Sequence, residues 1–337
     1  MRRWIAWLAV LAALAAVGAG TVLRLSRPFA GFEGEILIDI PAGASSREIA
    51  RLLASRGVVR SEWDFLAVRV LHRGDTLQAG EYSFRQAASV WEVYNRLRRG
   101  DVHYYSVTVP EGYNTFEIAK LVGATGVISG ENFLAAAREA WLIRDLAPGA
   151  TSLEGYLFPD TYHFTRRATA ADLCLQMTQR FRQTWESLGA GSDVHRTVTI
   201  ASLIEKETGI AHERAAVSSV IYNRLEEGIP LQIDPTVVYA GMLEGKYRGA
   251  IHQSDLDRKH PYNTYQRVGL PPGPIANPGR ASLQAALRPA ETRYIYFVAR
   301  PDGSGTHVFS ETLAQHERAV KEYRRGLEAA KKARAAG

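Results

Sequence analysis

The chain has 337 residues, of which 46% are apolar and 23% charged, a composition that excludes a disordered protein and is typical of a globular one. Its length allows a large core and favours two domains with additional segments. The formal net charge of +6 is consistent with anionic partners, but the arginines are scattered, and no nucleic-acid partner is predicted. A lone cysteine, Cys174, excludes an intramolecular disulfide and is expected to be a buried structural thiol.

The first predicted element is a helix that crosses the cytoplasmic membrane. Residues 4–23 (WIAWLAVLAALAAVGAGTVL) carry no charge, and a helix of this length at about 1.5 Å per residue covers roughly 30 Å, the thickness of a hydrocarbon core. The alternative is a cleaved signal peptide, because the small residues of the VGAG segment would suit a signal peptidase. We expect a single-pass protein of the cell inner membrane with a cytoplasmic tail (1–3), a linker (24–34) and the large domain on the periplasmic, extracytoplasmic side.

An internal repeat follows the predicted anchor. Segment 36–62 (ILIDIPAGASSREIARLLASRGVVRSE) aligns with segment 105–131 (YSVTVPEGYNTFEIAKLVGATGVISGE). Each copy predicts an alternating strand, a Pro-x-Gly turn and a helix with Ser or Asn near its N-cap, so small βα units are expected within residues 35–150. This pattern resembles the LysM module, which binds N-acetylated glycans; the alternative is a packing unit with no ligand. Identical residues include Pro41 and Pro110, Gly43 and Gly112, Glu48 and Glu117, and Ile49 and Ile118.

A mixed α+β domain with a helical core and β elements is predicted over residues 151–325, which makes α+β the fold class of the whole chain. Aromatic and Pro-containing stretches such as 154–164 predict loops and short strands, and 293–300 alternates like a strand. From about Thr312 the pattern predicts an amphipathic packing helix with a solvated face, and 326–337 is a charged tail. Apolar residues at helical spacing predict helices over 170–188, 195–208 and 212–228.

The segment TVTIASLIEKETG (197–209) places two carboxylates at the end of an apolar helix. One apolar face continues into Glu207, because positions i, i+3, i+4 and i+7 stack along a helix, whereas Glu205 lies about 200° away. Gly209 just past the helix would put Glu207 in the last turn, where carbonyl dipoles and partial burial both favour the neutral acid that general acid catalysis needs. The alternative is a salt-bridged glutamate at a frayed helix end. The apolar residues of this face are Ile200, Leu203 and Ile204.

No metal or other cofactor is predicted from the motifs of the chain. The nine histidines include no H-E-x-x-H or similar ligand spacing. Neither a phosphate-binding G-x-x-x-x-G-K-[ST] loop nor a dinucleotide-binding G-x-G-x-x-G turn occurs. A metalloenzyme and a nucleotide-dependent enzyme are therefore disfavoured.

Four separated motifs, behind the apolar helix and the repeat, resemble the endolytic murein transglycosylase family over about residues 1–325. That family is a bacterial, membrane-anchored lyase that acts on peptidoglycan glycan strands, with a catalytic glutamate in an E-K-E-T segment. By motif position the resemblance assigns this role to Glu207. It also implies a role in limiting nascent strand length, with peptidoglycan synthases of the elongation machinery as candidate partners. The motifs are EGYLFPDTYHF (154–164), ASLIEKETG (201–209), VIYNRLEEGIPLQIDPTVVYA (220–240) and YNTYQRVGLPPGPIANPG (262–279).

One carboxyl suffices for the chemistry that the resemblance implies. A hydrolase generally needs two, whereas in a lytic transglycosylase the tethered 6-hydroxyl of the N-acetylmuramyl ring attacks its own anomeric carbon. Glu207 would act as acid and then as base, leaving a 1,6-anhydro end. The alternatives are a hydrolytic muramidase with Asp234 or Glu154 as second carboxylate, and a non-catalytic peptidoglycan-binding scaffold. Candidates for orienting the glycan, each of which could instead hold a loop, are Asn223, Gln232, Asp234, Asn263, Thr264 and Tyr265.

Overall fold

The described residues form helices and a few short strands, paired in small two-stranded sheets, which confirms the predicted α+β class. The computed structural model describes residues 2–189, 191 and 193–336. The chain forms two compact units, one of Met1–Tyr105 with His163–Ala168 and one of Ser106–Tyr162 with Thr169–Gly337. The second copy of the repeat therefore packs with the C-terminal part of the chain. The sequence pattern had predicted a domain boundary after residue 150.

The N-terminal helix α1 (Arg2–Ser26) contains the segment that was predicted to span a membrane. Its stretch Trp7–Ser26 has a mean hydropathy of 2.0, and among the described residues this is the one helix long and apolar enough to cross a bilayer. A signal sequence has the same length and composition. The helix continues past the predicted end at residue 23: Leu25 is buried in the core of the first unit, and Arg24 Nε lies 3.1 Å from Asp64 Oδ1.

The first unit encloses its core between a strand pair and the helices packed on it. Its further elements are β1 (Ile36–Ile40), α2 (Ser46–Ser55), α3 (Glu62–Leu71), β2 (Gly80–Phe84) and α4 (Val90–Arg99). Strands β1 and β2 pair antiparallel, with Ile36 opposite Phe84 and Ile40 opposite Gly80. Alternate residues of both strands face inward because side chains alternate across a strand. The inward residues include Ile38, Ile40, Tyr82 and Phe84, which pack with Leu53, Phe65 and Leu97.

The elements from residue 105 onward are β3 (Tyr105–Thr108), α5 (Thr115–Ala124), α6 (Gly130–Ala137), β4 (Thr161–Phe164), α7 (Ala170–Ser187), α8 (Val194–Glu207), α9 (Arg214–Glu226), α10 (Asp234–Leu243), α11 (Gln253–Leu256), α12 (Arg280–Leu287), β5 (Tyr296–Ala299), β6 (His307–Ser310) and α13 (Leu313–Ala336). Helix α8 lies at the centre of the second unit and packs against α9, α10 and α12. The predicted helices over 170–188, 195–208 and 212–228 correspond to α7, α8 and α9, and the strand predicted within 293–300 is β5.

The two copies of the repeat share their local geometry. In each copy the N-cap residue, Ser45 or Asn114, exchanges side-chain and backbone hydrogen bonds with the glutamate three residues later. The glycines of the two Pro-x-Gly turns, Gly43 and Gly112, both have a φ of 77°, a left-handed value that glycine adopts without strain. A second helix and a closing strand then follow in each copy, as α3 and β2 or as α6 and β4. The similarity therefore extends beyond the strand, turn and helix that the sequence predicted.

Candidate active site

Glu207 is the last residue of α8, as the helical register predicts. The side chains that precede it on the same face, Ile200, Leu203 and Ile204, are fully buried. Helix α8 ends because Thr208 turns to an extended backbone (φ −142°, ψ 129°), with its N–H still donating to Ile204 O at 3.1 Å. A carboxyl at this point extends from the core towards the end of the helix, where unpaired carbonyls make negative charge unfavourable.

Glu207 opens into a cleft of about 290 Å³ in the second unit. Its walls come from α8, α9, the segment before α10, the loop around Tyr265, strand β5 and helix α13. Three of the six predicted glycan-orienting residues, Gln232, Asp234 and Tyr265, line this cleft. The lining residues are Glu207, Arg224, Leu231, Gln232, Ile233, Asp234, Tyr265, Phe297 and His316.

The environment of Glu207 favours its protonated form. Burial and, to a smaller extent, the negative charge of Asp234 raise the pKa of the Glu207 carboxyl, Arg224 lowers it, and the net pKa is about 7. A carboxyl with a pKa near neutrality is present as both acid and base at pH 7, so it can donate a proton and later accept one. Glu207 therefore has the electrostatic properties of a single group that serves in both steps.

Three residues of the cleft lining, Gln232, Asp234 and Tyr265, are held by hydrogen bonds to one another or to a neighbouring loop residue. The Tyr265 hydroxyl donates to Asp234 Oδ1 at 2.5 Å, and burial together with Asp234 raises the pKa of that phenol. Gln232 has a φ of 53°, the one positive value among the described non-glycine residues, and its N–H donates to Thr264 O at 3.2 Å. Backbone in this sparsely populated region is often found at functional sites.

The other three predicted glycan-orienting residues, Asn223, Asn263 and Thr264, lie outside the cleft lining and bind the protein itself. Asn223 Nδ2 donates to the backbone oxygens of Thr292 and Tyr294, both at 2.9 Å. Asn263 is buried, and its Nδ2 donates to the backbone oxygens of Asp255, Leu256 and Arg258, at the end of α11 and just after it. Thr264 Oγ1 accepts from the Ile233 N–H at 2.9 Å. Their contacts correspond to the loop-holding alternative that the sequence left open.

Five residues of the cleft lining were not predicted from the sequence: the aliphatic Leu231 and Ile233, and the polar or aromatic Arg224, Phe297 and His316. Arg224 is adjacent to a residue that was selected, and it donates to the backbone oxygens of Ile295 and Leu231, both at 2.7 Å. Phe297 lies in the predicted strand but was not singled out. His316 belongs to the terminal helix, whose many charged residues indicated a packing role only.

Two other carboxylates of the motifs are held away from the cleft. Glu205 accepts the Gly279 N–H at 2.9 Å and lies 3.7 Å from Arg214, which confirms that it points to another face than Glu207. Glu154 is 2% exposed and accepts hydrogen bonds from Thr115, Tyr239 and Asn277. Burial raises the pKa of Glu154 to about 7, although the hydrogen bonds from Thr115 and Tyr239 oppose that shift. Both residues tie distant segments of the second unit together.

Within the residues that the structure describes, no group of three or more His, Cys, Asp or Glu side chains is placed to hold a metal ion. Cys174 is buried in α7, and burial raises the pKa of its thiol to about 12. A thiol of this kind stays protonated and unreactive at neutral pH. Its expected structural placement is thus confirmed.

The cleft, with one proton-carrying carboxyl among amide, phenol and guanidinium groups, has the make-up of an acid–base enzyme for a polar substrate. The chain belongs to the YceG-like family, whose model matches residues 38–322. It is 34% identical over 307 residues to the endolytic murein transglycosylase of Bacillus subtilis (strain 168), covering 85% of this chain and 84% of that one.

More distant relatives and a solved structure agree with this family. The endolytic murein transglycosylase of Streptococcus pneumoniae (strain D39) is 27% identical over 321 residues, and the match covers 86% of this chain and 58% of that longer protein. A crystal structure of a YceG-like protein from Listeria monocytogenes is 30% identical, with a TM-score of 0.55 and coverage of 85% of this chain and 99% of that one.

Proposed function

We propose that the chain is an endolytic murein transglycosylase, a lyase that cuts the bond between N-acetylmuramic acid and N-acetylglucosamine within glycan strands. The observation that supports this most directly is Glu207, one carboxyl with a pKa raised to about 7 in a polar cleft. Family membership and the names of the relatives from Bacillus and Streptococcus support the substrate class.

The reaction needs one proton donor that becomes a proton acceptor. The protonated Glu207 carboxyl transfers its proton to the glycosidic oxygen as the bond to the anomeric carbon of N-acetylmuramic acid breaks. The 6-hydroxyl of the same sugar then forms a bond to that carbon and gives its proton to the Glu207 carboxylate, which restores the acid. No water is consumed, and the product carries a 1,6-anhydro end. The attacking hydroxyl is tethered, so no second carboxylate is needed to activate a nucleophile.

The contacts of the other acidic residues favour this reaction over hydrolysis. Asp234 shares the cleft with Glu207, but it accepts the Tyr265 hydroxyl, and its charge raises the pKa of Glu207. Glu154 accepts hydrogen bonds from three neighbouring side chains and does not belong to the cleft lining. A muramidase would use one of these carboxylates to activate water or to attack the sugar.

The test is mass spectrometry of the products from purified murein glycan strands incubated with the full-length protein in detergent. The wild-type protein should produce ends that are lighter by one water than hydrolysed ends. Glu207→Gln, which keeps size and hydrogen bonding but carries no transferable proton, should lower the rate by about 10²–10⁴-fold. A free reducing end would establish the muramidase, and unchanged cleavage by Glu207→Gln would refute the role of Glu207.

The membrane arrangement follows from the same substrate. We infer that α1 is an uncleaved anchor and that the rest of the chain lies on the periplasmic or extracytoplasmic side, where murein is. The apolar stretch Trp7–Ser26 and the packing of Leu25 in the first unit support an anchor that leads directly into the folded chain. An enzyme fixed at the membrane meets strands as they are made, which supports a role in limiting nascent strand length and peptidoglycan synthases as candidate partners.

The two repeat copies offer different surfaces for glycan contact. In the first copy the Pro41–Gly43 turn and the α2 side chains of Ile49 and Leu52 line an open, mainly apolar cavity of about 330 Å³. In the second copy the equivalent turn is hydrogen-bonded to other residues of the chain. The Gly112 N–H donates to Asn277 O at 2.9 Å, and the Gly112 carbonyl accepts from Lys206 Nζ at 3.2 Å. We therefore propose that the LysM-like copy which contacts glycan is the first, and that the second copy supports the catalytic helix.

A further inference from the structure

His316 lies in the first turns of α13 and lines the same cleft as Glu207. Its ring stacks on Tyr296 of β5, with centroids 4.9 Å apart and planes 18° from parallel. The same Tyr296 ring carries the Arg224 guanidinium 5.3 Å from its centroid. The imidazole is therefore fixed by packing at the cleft wall rather than free on the surface of a solvated helix.

One ring nitrogen of His316 is buried and makes no hydrogen bond within the described residues. Nδ1 has no hydrogen-bond partner among the described residues and is shielded from solvent. A buried polar atom left unpaired destabilises a fold by about 1–3 kcal/mol, and such atoms are few in native structures. A phenylalanine would make the same stacking contact without this cost, so packing on Tyr296 does not explain a histidine here.

The protonation of the ring follows from its surroundings. Burial lowers the pKa of His316, the Arg224 charge lowers it further, and Glu317 acts in the opposite direction. The ring is thus neutral at pH 7 and carries one proton. The proton belongs on Nε2, because a proton on Nδ1 would be an unpaired buried donor. Since Nδ1 is buried, Nε2 is the only polar ring atom that the cleft can reach.

We infer that His316 is a substrate-binding residue whose Nε2–H donates a hydrogen bond to an oxygen of the glycan, a hydroxyl or an N-acetyl carbonyl, held beside Glu207. This rests on the proposed function, because it takes the cleft of Glu207 as the place where the sugar binds. This inference adds a residue of α13 to the substrate-binding site. It also explains why this position carries a histidine although an apolar ring would pack equally well.

The test compares His316→Phe with His316→Gln. Phe keeps the stacking on Tyr296 and removes both nitrogens, whereas the Gln side chain can place an N–H near the position of Nε2. Binding is measured with peptide-free murein glycan strands and the full-length protein in the inactive Glu207→Gln background, and cleavage is measured in the wild-type background. His163→Phe, an exposed strand histidine outside the cleft lining, is the matched control.

His316→Phe should weaken glycan binding and lower kcat/KM by about tenfold, the effect of one hydrogen bond. Its Tm should equal or exceed that of the wild type, because an unpaired buried nitrogen is removed. His316→Gln should recover part of the binding, and His163→Phe should change neither quantity.

Several results would overturn the inference. They are unchanged binding by His316→Phe, a lower Tm that accounts for the lost activity, and a shifted pH–rate profile with normal binding, which would mean that the ring acts through Glu207. A wild-type protein that binds strands but makes no anhydro ends would instead refute the proposed reaction, and weaker binding by His316→Phe would still support the glycan contact.

Discussion

Glu207 experiences opposing influences on one carboxyl. Burial and the neighbouring Asp234 favour its neutral form, and Arg224 favours its ionised form. Since the balance leaves its pKa at about 7, a change in any of the three should be measurable as a change in pH dependence.

Because the pKa of Glu207 is raised in the folded state, the free energy of unfolding should depend on pH. The folded state holds this proton up to about pH 7, whereas the unfolded chain releases it near the ordinary value of 4.5. The contribution of Glu207 to the free energy of unfolding therefore falls as the pH rises from about 4.5 to 7. Glu207→Gln removes this loss, so the variant should gain stability relative to the wild type across that window, by at most about 3 kcal/mol. Denaturant unfolding of both proteins between pH 4 and 8 checks this, and a constant difference would contradict it.

Asp234→Asn should shift activity along the pH axis without abolishing it. The substitution removes a negative charge that raises the pKa of Glu207 but keeps an acceptor for the Tyr265 hydroxyl. The alkaline limb of kcat/KM should therefore move to lower pH by up to about one unit, with activity at pH 5.5 within about tenfold of the wild type. If Asp234 were the second carboxylate of a hydrolase, activity would be lost at every pH, which a pH–rate profile would reveal.

Among individual residues, the sequence predicted the place of Glu207, the catalytic candidate, better than the contacts of the residues around it. Glu207 could be selected because helical periodicity relates it to Ile200, Leu203 and Ile204 within one element. The roles of Asn263 and Thr264 depend on which backbone atoms a loop brings near them, and periodicity carries no such information. His316 was missed because its partner Tyr296 is on another element.

The last turn of α8 is hydrogen-bonded to the segment that leads into α12. Glu205 accepts the Gly279 N–H at 2.9 Å just before α12, and its side chain and that of Arg214 are 7% and 11% exposed. The helix that presents Glu207 is therefore held at its C-terminal end by the neighbouring acidic residue.

Glu205→Ala should destabilise the protein by about 1–3 kcal/mol, because it leaves the buried Gly279 N–H without its acceptor and removes the carboxylate that pairs with Arg214. Glu205→Gln keeps an oxygen for Gly279 and should cost less. Denaturant unfolding measures both, and cleavage assays at pH 6 should find Glu205→Gln within about tenfold of the wild type. A rate loss as large as that of Glu207→Gln would contradict the separate roles of these residues.

The elements themselves were partly predictable. Capped helices such as α2 and α5 follow from local signals, since an N-cap and its glutamate lie three residues apart. Strand β6 was not anticipated because His307–Ser310 has only weak alternation, and its pairing with β5 comes from the tertiary structure. The division between the two units falls at another place than the predicted boundary after residue 150, and the hydrogen bonds of Glu154 to Thr115 and Tyr239 join segments far apart in the chain.

At the scale of the whole molecule, the cavity of the first repeat copy should affect strand binding rather than chemistry. Ala42→Glu places a charge at its exposed rim and should weaken binding to polymeric strands several-fold while leaving the anhydro product unchanged. Ala87→Glu, on an exposed position of the same unit outside this cavity, is the control. Co-sedimentation with purified murein measures both, and equal binding by the two variants would favour a packing role for the repeat.

The anchor makes a separate prediction. If α1 remains attached, N-terminal sequencing of the membrane-bound protein should find no cleavage after Gly20, and protease added outside the cytoplasmic membrane should digest the rest of the chain. A mature protein that begins beyond Gly20 would identify a signal peptide instead. The burial of Leu25 makes a cut at this point unfavourable for the first unit, because the new terminus, Thr21, would lie only four residues before a core residue.

The cleft lining includes both Glu207 and His316, which are separated by more than a hundred residues of chain. During synthesis Glu207 is therefore added to the chain before the residues of β5 and α13 that line the cleft with it. A chain truncated before α13 would keep Glu207 but lose the His316 ring from the cleft lining, so its site would be incomplete.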